Sequence, residues 1–172
     1  TEAARRGIEV CVPELPELSR LKAPYYPALG VQAAGQMAGE GPAALIVHSG
    51  SGGLAATVVA AAPGQVAQVV FVDAILPHPG RTWFSTAADA FAEGVRAKAQ
   101  DGMVPPWDRW FPEGALAALI GDHTRRKAFV RELRPTPQAF LEEPAPDLPM
   151  PEEVGWAYLR LSKAYEDEAR EA

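Results

Sequence analysis

The sequence predicts an α/β fold: a mostly parallel sheet with helices on both faces and an α-helical, cap-like insertion. Three observations point there. Val- and Ile-rich runs at 7–13, 43–49 and 68–74 show little polar alternation, as strands covered on both faces do. Apolar, Ala-rich stretches over 25–39 and 53–62 have helical character, and the short link between the second and third runs suits one right-handed βαβ crossover. Residues 75–151 then carry prolines, tryptophans and helix-forming sequence without a visible strand pattern.

In chain order, "TEAARRG" reads as the tail of a helix already under way. The run "GIEVCVP" (7–13) is the first expected strand, and Cys11 within it is expected to be a buried small hydrophobe. "AALIVHS" (43–49) and "QVVFVDA" (68–74) are the next strands, and "GWAYLRLS" (155–162) is a weaker fourth. Between them, short helices are predicted at 83–100, 112–120, 122–133 and 136–142. The expected organisation is therefore an α/β core over 1–74 and 152–172, with 75–151 as the cap-like insertion. Pro-rich "LPHPG" and "EEPAPDLPMP" would serve as stiff hinges at its ends. The chain stops on "EDEAREA" without a C-cap glycine, so both ends are expected to be cut and the domain incomplete.

Composition narrows the function classes. A net charge of −6 argues against a nucleic-acid partner, which needs clustered Lys and Arg. The one basic cluster, Arg125, Arg126 and Lys127, is expected to be a solvated helix face. A single cysteine excludes an intrachain disulfide and is compatible with a reducing compartment. The apolar run after Leu54 breaks at Pro63-Gly64, short of the roughly 20 residues a bilayer helix needs. A soluble, cytoplasmic protein without a membrane partner is expected. No metal-ligand spacing, P-loop or dinucleotide fingerprint is present, so no cofactor and no metal are expected.

The chemistry concentrates at "HSGSGG", where two serines and three glycines fill positions 49–53 between a strand and a helix. A serine on such a sharp turn takes a strained backbone conformation, and small neighbours let strand and helix pass closely. The N–H groups at the helix start then favour an oxyanion. The plainer alternative is a Gly-Ser turn whose serine only N-caps the helix.

The stretch "LIVHSGSGGLAATVVAAAPGQVAQVVFVDAILP" resembles the α/β-hydrolase family, whose usual elbow is Gly-His-Ser-x-Gly-Gly followed by an Ala-rich helix and a strand ending in Val-Asp. "GIEVCVPELPEL" resembles the strand before that elbow and "GWAYLRLS" a later one. Aligning His48-Ser49 with the family's His-Ser makes Ser49 the nucleophile, with Val47 and Ser51 replacing the elbow glycines. A second register, matching Gly52-Gly53 to the glycine pair, puts Gly50 at the nucleophile position. A third favours Ser51. Of these, Ser49 is the expected nucleophile, because it sits at the strand end, where Val47 and His48 are still extended. The resemblance implies that the Gly50 N–H is one oxyanion donor.

A nucleophilic serine needs a base held by an acid, in the family order Ser, Asp or Glu, His. Asp73, at the end of the strand after the elbow helix, is the candidate acid, its alternative being a structural carboxylate that binds turn N–H groups. Glu166 and Asp167 occupy the other usual acid location. Of the three histidines, His48 should point to the opposite side of its strand from Ser49, His78 sits in a rigid turn, and His123 lies inside the insertion. The resemblance places the base beyond a further strand and loop, past Ala172.

Three functions follow. One is a serine-type hydrolase or acyl-transfer enzyme acting on an apolar ester, thioester, lactone or amide, as the apolar, Trp-rich insertion (Trp83, Trp107, Trp110) implies. Another is a non-hydrolytic or inactive relative that binds or rearranges a small molecule in biosynthesis. The third is an assembly subunit, a homo-oligomer that completes its sheet by pairing with another chain.

Overall fold

The computed structural model describes residues 2–37 and 41–172. The chain runs α1 (Glu2–Arg5), α2 (Tyr25–Ala34), β1 (Ala43–Ser49), α3 (Ala55–Ala61) and β2 (Val66–Ala74). It continues with α4 (Asp89–Arg96), β3 (Met103–Val104), α5 (Ala115–Leu119), α6 (His123–Glu132), β4 (Thr136–Pro137), α7 (Gln138–Glu142), β5 (Gly155–Leu159) and α8 (Glu166–Glu171). These elements form two compact units, one of Thr1–Pro16, Pro24–Gly80 and Ala145–Ala172, the other of Glu17–Ala23 and Arg81–Pro144.

The first unit is built on a three-stranded sheet in the order β1-β2-β5, all parallel. Period-two alternation sorts its side chains. Val47, Val69 and Phe71 turn to one face and pack against Ala55 and Val59 of α3, with Ala34 at the end of α2 beside them. The helices α2 and α3 themselves meet closely: a Cβ at Gly30 would lie 2.5 Å from Thr57 Cγ2 and 2.8 Å from Thr57 O. Phe71 also stacks on Tyr158 of β5, ring centroids 6.4 Å apart and planes 7° from parallel.

The opposite face differs from the expectation of helices on both sides. Ile46 and Leu159 there are 68% and 49% exposed. An apolar strand sequence reports what the strand tolerates on each face, not which cover the rest of the chain supplies.

The run 7–13 is not a strand. It joins no ladder among the described residues, and Ile8, Val10 and Val12 are exposed. Cys11 is likewise exposed, contrary to its expected burial, and its thiol donates to the Gln36 carbonyl at 3.1 Å. Gln36 anchors the following residues, its side chain accepting from the Glu14 N–H at 2.8 Å and donating to the Glu14 carbonyl at 2.9 Å. The predicted helix over 25–39 ends at Ala34, and its positions 38 and 39 lie outside the described residues. The fourth strand ends at Leu159, because the next residues turn to meet Asp73.

The second unit has its own core of Phe84, Ala92, Val95, Val104 and Leu141, flanked by Trp83, Phe91 and Trp110. The Trp83 and Trp110 rings meet edge to face at 5.3 Å, and Trp107 meets Phe111 at 4.9 Å. The Arg96 guanidinium lies 4.0 Å over the Phe84 ring, a cation–π contact. The predicted helix at 83–100 resolves into a turn at Trp83–Thr86 followed by α4. A two-residue antiparallel ladder, β3 with β4, replaces the expected absence of strands. Two residues are too few to show a period, and Pro137 in β4 conceals the strand further. In α6, Arg125 and Lys127 are exposed, while Arg126 turns back to the Ile120 and Gly121 carbonyls. Among the described residues, no helix is long and apolar enough to cross a membrane.

Candidate active site

β1 ends in a backbone kink. Ser49 has φ 55° and ψ −131°, a conformation that L residues rarely hold without compensation. The support comes from the residue that follows β2: the Ile75 N–H donates to the Ser49 carbonyl at 3.2 Å. The following turn, Gly50–Leu54, lies close over the end of β2, and a Cβ at Gly52 would collide with the Ile75 carbonyl oxygen. At Gly53 a Cβ would lie 2.6 Å from the His78 ring. These two glycines let the turn descend into α3, as the small residues of an elbow should.

The two serines separate cleanly. The Ser51 hydroxyl accepts from the His48 N–H at 2.9 Å and donates to the His48 carbonyl at 2.7 Å. It thereby satisfies both backbone groups of a residue on a flanking strand, a structural task. Ser49 makes no side-chain capping bond to the turn it starts. Its half-buried Oγ instead lies 2.9 Å from the Tyr165 hydroxyl. Tyr165 was not among the residues read from sequence. It stands next to the acidic pair Glu166-Asp167, and nothing in its local sequence sets it apart from a surface tyrosine.

Asp73 falls at a register break. His48 pairs with Val72 and Ser49 with Ala74, so Asp73 is the extra residue of a bulge, with φ 39°. Its buried carboxylate accepts from the Leu161 N–H at 2.7 Å and the Ser162 N–H at 3.2 Å, holding the turn that follows β5. Burial pushes this carboxyl up, but the Leu161 and Ser162 hydrogen bonds outweigh it and leave it below the ordinary carboxylate value. A lowered folded-state value means Asp73 adds stability above the unfolded-state value, and this is lost as pH falls through the folded one. We expect Asp73→Asn to cost roughly 1–3 kcal/mol at pH 7, the scale of hydrogen bonds to a charged group. The wild-type advantage should shrink below about pH 4. Urea midpoints of both proteins from pH 7 to 3 check this, and a gap that stays constant with pH would contradict it.

The other candidates lie as follows. Gly50, whose N–H follows Ser49, is exposed at the start of the turn. His48 is exposed, on the neighbouring position to Ser49 along β1. His78 is buried, with Nδ1 3.2 Å from the Leu76 carbonyl and Nε2 3.0 Å from the Tyr26 hydroxyl. In the neutral ring Nδ1 donates to the carbonyl and Nε2 accepts from Tyr26, and the ring ties α2 to the loop after β2. His123 begins α6 in the second unit. Glu166 pairs with Arg170 at 2.6 Å and Arg160 at 3.7 Å, and Asp167 with Arg170 at 3.5 Å, all on exposed side chains.

The comparisons bear on the fold. A solved extracellular α/β-hydrolase from a Paenibacillus species superposes with a TM-score of 0.69 at 18% identity. The match covers 93% of this chain and 69% of that one. That protein is described as sharing structural and functional homology with tobacco salicylic acid binding protein 2. No family model and no curated protein matches the sequence. The chain therefore has an α/β-hydrolase-like fold, as its elbow sequence implied.

Proposed function

We propose that this chain is a serine-type hydrolase or acyl-transfer enzyme of the α/β-hydrolase fold, with Ser49 as nucleophile. The supporting observation is Ser49 itself: a strained, non-glycine residue at the strand-to-turn junction, whose hydroxyl is not spent on capping. Strain kept at a polar residue is a mark of function more than of packing. Substrates would be small apolar esters, thioesters, lactones or amides. The salicylate connection of the Paenibacillus enzyme's counterpart is in keeping with a small organic ligand. The Trp-rich insertion over 75–151, which we read as cap-like, is in keeping with an apolar substrate.

In this reading the Ser49 Oγ–H bond breaks as an Oγ–C bond forms to the carbonyl carbon, and the Gly50 N–H helps hold the resulting oxyanion. Collapse of the intermediate expels the alcohol, thiol or amine, which carries away the serine proton. Water then cleaves the acyl-serine, releasing the acid and restoring the hydroxyl.

A fluorophosphonate probe tests the assignment. Wild-type protein and Ser51→Ala should be covalently labelled, and Ser49→Ala should not, as read by intact mass. A folded wild-type chain that takes no label would defeat the hydrolase reading. It would favour the alternative, a non-hydrolytic relative binding or rearranging a small molecule.

A further inference from the structure

The Ser49–Tyr165 contact is clamped from both sides by the same end of β2. Ser49 is held through its carbonyl by the Ile75 N–H. Tyr165 closes the short Lys163–Tyr165 turn after β5, and that segment is anchored where Asp73 accepts from Leu161 and Ser162. The bulge at Asp73 directly opposes the strained elbow, between the pairs His48–Val72 and Ser49–Ala74. Two residues 116 positions apart thus meet at 2.9 Å through supports at Asp73 and Ile75, two positions apart at the end of β2. A chance surface contact between a serine and a tyrosine would have no such common footing.

We propose that Tyr165 is a catalytic residue paired with Ser49, and that Asp73 is its positioning residue. The role deepens the hydrolase reading and rests on it for its catalytic meaning. A phenol both donates and accepts. In the free enzyme the Ser49 hydroxyl donates to the Tyr165 oxygen, which fixes Oγ with its remaining lone pairs free for attack. Once Oγ is acylated it carries no proton, and the bond reverses: Tyr165 donates to Oγ. Tyr165 therefore holds the nucleophile before attack and supports it as the leaving oxygen afterwards. Asp73 keeps the tyrosine in reach by fixing the backbone from which its turn departs.

The test uses the full chain with 3-fluorotyrosine at position 165, followed by fluorine NMR. Ser49→Ala should move the signal and Ser51→Ala should leave it in place. Labelling by the fluorophosphonate should move it again: the Oγ–P bond forms, the P–F bond breaks, and fluoride and the hydroxyl proton leave to solvent. In parallel, Tyr165→Phe should slow labelling about tenfold, the equivalent of a lost hydrogen bond of ~1.4 kcal/mol, with its urea midpoint near wild type. Asp73→Asn should slow it less and broaden or shift the fluorine signal. A signal indifferent to Ser49→Ala, or wild-type labelling rates in Tyr165→Phe, overturns the pair while leaving Ser49 as nucleophile. A chain that never takes the label, yet whose signal answers to Ser49→Ala, loses the hydrolase reading and the catalytic role of Tyr165 with it, keeping only the contact.

Discussion

Gly52→Ala should both destabilise the protein and abolish its reaction with a serine-directed probe. The added Cβ would strike the Ile75 carbonyl oxygen and lie 3.0 Å from Ala74 Cβ. Neither obstacle is the far end of a flexible side chain, so the turn would have to lift away from β2. Overpacking of this kind costs about 1–3 kcal/mol, sometimes more, and a backbone obstacle puts this site at the upper end. Function should suffer beyond that loss. Ile75 supplies both the carbonyl that is struck and the N–H that supports the Ser49 kink. Lifting the turn would break that bond, relax the strained φ and carry Oγ away from Tyr165. Urea midpoints and labelling rates, measured on the same samples, check both halves. A protein as stable and reactive as wild type would show that the elbow does not rest on β2 as described.

Phe71→Ala should have the largest effect on stability. Phe71 is 2% exposed on the central strand, faces Val47 across the β1 register and stacks on Tyr158 across the β5 register. Trp156 adds an edge-to-face contact at 6.2 Å. Truncation removes a buried ring and leaves a cavity that a parallel ladder on each side cannot easily close, which typically costs about 3–5 kcal/mol. Against a usual total of about 5–15 kcal/mol, that is a large share of the fold's stability. The loss should also reach the site. The Tyr158 hydroxyl donates to the Ala74 carbonyl at 2.8 Å and accepts from the Ala74 N–H at 3.1 Å, next to the Asp73 bulge. Urea unfolding provides the measurement, and a cost below about 1 kcal/mol would mean that Phe71 is not the keystone of this sheet.

Legibility varied along the chain for identifiable reasons. The strands at 43–49 and 68–74 and the helix between them were readable because a buried parallel strand requires an uninterrupted apolar run and a crossover of limited length. The run at 7–13 has the same composition and fails, since strand formation needs a ladder partner that composition does not reveal. Cys11 follows its segment out to solvent for that reason. The elbow was legible as a motif, and its position at the strand end favoured Ser49, but the partners of the two serines were not legible. The Ser51 hydroxyl reaches the His48 backbone and the Ser49 hydroxyl reaches that of Tyr165, and a string of small residues does not record that.

Local chemistry, carried by near neighbours in the chain, thus sufficed for an α/β architecture with a serine-bearing turn between β1 and α3. The glycines, the apolar runs and the short crossover all act within a few residues of one another. What depended on the folded chain was the company that distant polar groups keep: Asp73 in a bulge holding the turn after β5, and Tyr165 brought to Ser49. Those contacts span up to 116 positions. They arise from strand register, and register is set by how whole strands pair, which no short stretch of sequence encodes.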